Sequence, residues 1–197
     1  MDDLEACVAL GVDAIGLNFI SKSPRNVTIE KAKTLVSAAR KRVMTVGIVA
    51  DLTLEQMREL RDEVQLDCLQ LHGSESPETV FALLPHAYKA VRIKTAEDVI
   101  TVDQFPGEYI LLDAFSDSAL GGTGLAFDWS YLGDLPKRRQ VTLAGGLRPG
   151  NVAQAISSVH PFCVDVASGV EDAPGVKNFS KLNAFVAAVR QAPRRPY

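Results

Sequence analysis

A lone carboxylate, Asp113, ends the apolar run Ile110-Leu111-Leu112, and two glycine-bearing turns follow later runs of the same kind. These turns are Gly145-Gly146 in LAGGLRPGNV and Ser168-Gly169 in VASGVEDAPGVKN. A carboxyl at the partly desolvated end of a buried strand is suited to general-acid work. Glycines let the backbone approach an anion closely, and amides exposed at a helix start favour negative charge, so the two turns read as a phosphate cradle. Plainer uses exist for both: an aspartate also caps loops, and glycine pairs also close tight turns.

Polar groups punctuate the other apolar runs in the same way, with Asn18, Asp51, Gln70 with His72, Lys94 and Asp165 at or near their C-terminal ends. Metal chemistry is not indicated. Cys7, Cys68 and Cys163 form no CxxC pair, and His72, His86 and His160 form no i, i+4 pair, so no metal site is expected. The cysteines are expected to act as small buried hydrophobes.

The elements that must position these groups alternate along the chain. Apolar stretches at 13–19, 43–50, 68–73, 88–93, 109–115, 141–147 and 162–169 read as seven strands, separated by amphipathic helices or short crossovers. The pattern is that of a parallel sheet covered by helices. A closed (β/α)₈ barrel brings all strand ends to one mouth, whereas an open sheet offers chiefly one crevice, and the recurring polar ends favour the barrel. No GxGxxG or GxxxxGK[ST] block follows any strand.

Composition narrows the partners. The chain of 197 residues, 47% apolar and with formal charge −3, fits one globular domain, assigned to 1–190, with a disordered tail at 191–197. Its basic residues gather only at 137–139 and 194–195, which argues against nucleic acid as a partner. No run approaches the ~20 apolar residues of a membrane span, and the acidic start lacks the pattern of a signal peptide, so a cytoplasmic protein without membrane association is expected.

The opening MDDLEACVALG reads as a helix with acidic first-turn residues and a glycine stop, and it leads straight into the strand at 13–19. Such a helix is normally the crossover of a βαβ unit. The strand expected before it is not in the sequence, so the architecture is expected to be a (β/α)₈ TIM barrel with its first strand missing and seven strands present.

The blocks SKSPRNVT, VGIVAD, LQLHGSE, ILLDAF, GGTGLAFDW, LAGGLRPGNV and DVASGVEDAPGVKN, in this order, resemble phosphoribosylanthranilate isomerase over residues 1 to about 190. The resemblance implies a cofactor-free Amadori rearrangement of N-(5-phosphoribosyl)anthranilate in tryptophan biosynthesis, by a monomer or homodimer. It implies Asp113 as general acid, Arg25 against the anthranilate carboxylate, Gln70, His72 and Asp165 as substrate-binding, and Gly145, Gly146, Ser168 and Gly169 around the phosphate. The family's general base is a cysteine in a first-strand segment reading roughly KICG, and Cys7, in the helix beyond, is not its equivalent. Activity of the chain is therefore expected to be weak, with a mis-assigned start, a truncation or natural loss as the explanations. The alternative is a non-catalytic phosphosugar-binding or partner-binding barrel. Indole-glycerol-phosphate synthase fits less well, because the lysine and glutamate pairs which that chemistry needs at early strand ends are not apparent.

Overall fold

Hydroxyl and amide side chains start most of the longer helices, and the strands between them are apolar and parallel. The computed structural model describes residues 1–114 and 128–193; Phe115, the 121–127 part of the GGTGLAFDW block and the tail at 194–197 lie outside the described residues. Two compact units divide the chain: Met1–Lys89 with Phe105–Gly107, and Ala90–Gln104 with the residues from Glu108 onward.

In the first unit the order is α1 (Asp2–Ala9), β1 (Ala14–Asn18), α2 (Ile29–Ala39), β2 (Met44–Val49), α3 (Leu54–Val64), β3 (Cys68–Leu71), α4 (Pro77–Leu83) and the first part of β4 (Ala87–Ile93). Thr28 accepts from the Lys31 amide, Thr53 forms a capping box with Gln56, and Ser76 accepts from the Thr79 amide ahead of Pro77 in the first turn. Each cap satisfies an amide that the helix itself leaves without a partner. Strands β1, β2, β3 and β4 pair in parallel in that order. Met57, Leu69 and Leu71 are fully buried in one apolar cluster, each contributing about 1.5–3 kcal/mol over an exposed position. Leu4 buries the inner side of α1 with Val8 against Ala39 and Val43.

The second unit carries the rest of β4, then α5 (Ala96–Thr101), β5 (Tyr109–Ala114), α6 (Leu135–Arg138), β6 (Gln140–Ala144), α7 (Val152–Val159), β7 (Cys163–Val164), a hairpin of β8 (Glu171–Ala173) and β9 (Val176–Lys177), and α8 (Phe179–Gln191). Strands β5, β6 and β7 pair in parallel, and β8 with β9 antiparallel. Within each unit neighbouring strands follow sequence order, β1 to β4 in the first and β5 to β7 in the second, as expected of the seven apolar runs.

Several expectations need correction. The stretch at 162–169 is strand only at Cys163–Val164; Asp165 still donates to Leu143 O at 2.9 Å, after which the chain turns into a 3₁₀ turn at Ser168–Val170. The hairpin that follows was not expected, although Pro174-Gly175, with Gly175 at φ +82°, is an ordinary turn signal. Strand β1 is not buried throughout: Leu17 is, but Ala14 and Gly16 are exposed. Gln191 and Ala192, assigned to the tail from sequence, are placed: α8 reaches Gln191 and Ala192 is buried. Among the cysteines only Cys68 is buried, and burial pushes its thiol up to about 11; Cys7 and Cys163 are half-buried. No helix among the described residues is long and apolar enough to cross a membrane.

Candidate active site

Parallel register brings Asp113 and both glycine turns to one level in the second unit. Asp113 of β5 stands opposite Ala144 of β6, and Leu143 of β6 opposite Val164 of β7. The next residues of each strand therefore leave the sheet side by side. They enclose a cavity of about 170 Å³ lined by Asp113, by residues 144–147 after β6, and by residues 165–168 after β7. Asp113, Gly145, Gly146, Asp165 and Ser168, singled out separately by sequence, thus share one pocket. Asp113 is half-buried, while Asp165 and Ser168 are exposed.

Each glycine turn has a local cause. Gly145 and Gly146 have φ of +82° and +64°, left-handed values that cost most side chains strain. Asn151 clamps the same turn, its Oδ1 accepting from Arg148 N at 2.8 Å and its Nδ2 donating to Gly146 O at 3.0 Å. Gly169 answers a different need. A Cβ there would land on the Leu147 carbonyl, so the two turns pack backbone against backbone and only glycine fits.

The remaining candidates belong to the first unit. Gln70 is buried on β3; its Nε2 lies 3.2 Å from His72 Nδ1 and its Oε1 accepts from Tyr88 OH at 3.3 Å. His72 N donates to Val49 O at 2.8 Å, which ties the turn after β3 to the end of β2. Arg25 is half-buried in the loop between β1 and α2, whose far end is pinned by Val27 N donating to Asn18 O at 2.8 Å.

Sequence reasoning missed a buried ion pair beside His72. Lys89 Nζ donates to Glu75 Oε2 at 3.1 Å, to Leu71 O at 3.0 Å and to Gly73 O at 2.7 Å. Glu75 Oε1 accepts from Asp51 N at 2.9 Å, and its Oε2 from Gly73 N at 3.0 Å. A charge inside the apolar run YKAVRI was the available signal. Removing one partner strands a buried charge, whereas replacing both does not. Glu75→Leu alone should therefore lower unfolding free energy by about 3–5 kcal/mol in urea titration, and Glu75→Leu with Lys89→Met should recover most of it.

A wider depression of about 600 Å³ lies along α3 by Leu54, Arg58 and Asp62, on the face of a single helix, with none of the expected groups in it. Among the described residues no cluster of three or more His, Cys, Asp or Glu side chains could hold a metal ion.

Comparison with known proteins identifies the family. The family described as N-(5'-phosphoribosyl)anthranilate (PRA) isomerase matches residues 1–188. The N-(5'-phosphoribosyl)anthranilate isomerase of Pseudomonas fluorescens SBW25 is 40% identical over 194 residues, covering 98% of this chain and 92% of the relative. The phosphoribosyl anthranilate isomerase structure from Thermotoga maritima superposes with a TM-score of 0.87 at 33% identity, over 96% of this chain and 93% of that one. Another isomerase structure, in complex with reduced 1-(o-carboxyphenylamino)-1-deoxyribulose 5-phosphate, superposes with a TM-score of 0.84 at 32% identity and the same coverage. The fold is thus α/β and TIM-barrel-like. Neither comparison shows a missing first strand or an inactive chain. The chain belongs to the N-(5'-phosphoribosyl)anthranilate isomerase family, the isomerases of tryptophan biosynthesis.

Proposed function

We propose that the protein converts N-(5-phosphoribosyl)anthranilate to 1-(2-carboxyphenylamino)-1-deoxyribulose 5-phosphate, with Asp113 as general acid and the turns at 145–146 and 168–169 as the phosphate site. The observation that carries this reading is the one cavity shared by Asp113 and both turns. Asp113 protonates the ribose ring oxygen, the furanose opens to a Schiff base, a base removes the C2 proton, and the enolamine tautomerises to the ketone. The amides of the two turns hold the phosphate at one end of the ribose, and Asp165 on the same wall takes a sugar hydroxyl. Arg25 offers a planar fork to the anthranilate carboxylate, with Gln70 and His72 as further binding groups.

By resemblance the base that takes the C2 proton is the cysteine of a KICG-type segment on the family's first strand. Cys7 does not replace it. It lies in α1, whose neighbouring Leu4 and Val8 pack against Ala39 and Val43. The alternative of a non-catalytic phosphosugar-binding barrel is separated by turnover. Incubated with N-(5-phosphoribosyl)anthranilate, the protein should deplete substrate fluorescence, and Cys7→Ser should run within about twofold of the unmodified protein. No turnover at any concentration removes the isomerase reading, and arrest by Cys7→Ser alone moves the base onto α1.

A further inference from the structure

The hairpin β8–β9 carries charges for which the reaction has no use. Glu171 has a side chain 4% exposed, and its Oε1 accepts from Gly175 N at 3.3 Å and from Lys177 Nζ at 3.2 Å. Lys177 Nζ also donates to Ala167 O at 3.3 Å, an oxygen that accepts from Val170 N at 3.3 Å as well. Ala167 lines the cavity beside Ser168. The hairpin is itself anchored to α8: Lys181 Nζ donates to Glu171 O at 2.8 Å and to Asp172 Oδ1 at 3.0 Å, and Asn178 N donates to Val170 O at 2.8 Å.

One ammonium thus joins a buried carboxylate on the hairpin to the carbonyl of a residue in the cavity wall. The consequence follows from peptide geometry. In a planar trans peptide the C=O and the following N–H point in opposite directions, so fixing Ala167 O toward Lys177 turns the Ser168 N–H the other way. On its far side the same turn is seated by Gly169 against Leu147.

We propose that Lys177 is a positioning residue for the phosphate site, holding the Ala167–Ser168 peptide so that the Ser168 amide is preset toward the anion, with Glu171 fixing Lys177 in turn. The proposal rests on the phosphate reading of the two turns. Preorganised donors bind an anion without an ordering cost at the moment of binding, so loosening the peptide lowers affinity without touching the acid.

Calorimetric titration of the full chain with inorganic phosphate tests it. Lys177→Met, close in length and apolar on a half-buried stem, should weaken phosphate about tenfold and raise KM for the phosphoribosyl substrate similarly, with kcat within about twofold. Lys177→Arg, which still donates to both acceptors, should recover affinity to within about threefold. The deficit of Lys177→Met should persist at 0.5 M KCl. A deficit that closes in salt means that Lys177 acts as a distant charge, and that overturns the proposal. Glu171→Gln keeps an acceptor for Gly175 and Lys177 and should lose only about threefold; if Lys177→Met fails to fold by thermal melting, wild-type affinity in Glu171→Gln together with failure of Lys177→Arg to bind overturns it instead. Gly146→Asp separates the two levels of the argument. Loss of phosphate in Gly146→Asp with wild-type affinity in Lys177→Met removes the positioning role alone, whereas wild-type affinity in Gly146→Asp removes the phosphate site itself.

Discussion

Asp113→Asn should lower kcat for N-(5-phosphoribosyl)anthranilate by about 10²–10⁴-fold while leaving inorganic phosphate affinity within about twofold. The substitution keeps size and shape and removes only the transferable proton. Backbone pairing of β5 with β6 does not depend on the side chain, since Tyr109 to Asp113 are matched residue by residue with Gln140 to Ala144. Asp113 is also half-buried, so the asparagine amide can find hydrogen-bond partners without leaving a fully enclosed orphan. Fluorescence decay of the substrate gives kcat and KM, and calorimetry with phosphate reports the cradle separately. A kcat within tenfold of the unmodified protein would transfer the acid role to Asp165, the other carboxylate on the cavity wall.

How much of this site could be read from sequence depended on whether its cause was local. Apolar runs between helix signals located β2, β3, β4, β5 and β6 to within a few residues, because strands covered on both faces must be apolar throughout. Asp113, Gly145, Gly146, Asp165 and Ser168 were legible for a related reason: polar and small residues at the end of an apolar strand stand where the chain leaves the sheet. Their meeting in one cavity required the parallel register, which no single stretch encodes. The last strand misled because FCVDVASG is a mostly apolar run like the others, whereas its backbone leaves the ladder after Asp165 to seat Gly169 on Leu147.

Long-range charge pairs were illegible for the opposite reason. Glu75 and Lys89 are separated by fourteen residues, and nothing in either flank states that they meet. Lys177 and Glu171 are close in sequence, yet their purpose depends on the Ala167 carbonyl that Lys177 also reaches. Arg25, Gln70 and His72 stand in turns or strand ends of the first unit, as expected from polar residues that follow apolar runs.

The largest binding effect is expected at Gly146. Its φ of +64° is left-handed, and a Cβ built on it meets no heavy atom within 4 Å, so space does not forbid a side chain there. Asp and Asn enter this backbone region more readily than other residues with a Cβ, and both should therefore fold with the turn nearly intact. They differ in charge. An aspartate in place of Gly146 would put a carboxylate on the wall of the same cavity as the anion, and two like unit charges about 5 Å apart repel by about 3 kcal/mol at an effective dielectric of about 20. That corresponds to a loss on the order of 100-fold in phosphate affinity, and more for a dianion. Gly146→Asp should thus abolish measurable phosphate binding in calorimetric titration, while Gly146→Asn should retain it to within about tenfold. Equal loss in both variants would assign the effect to the backbone rather than to charge, and equal retention would mean that the anion is not held by the turn after β6.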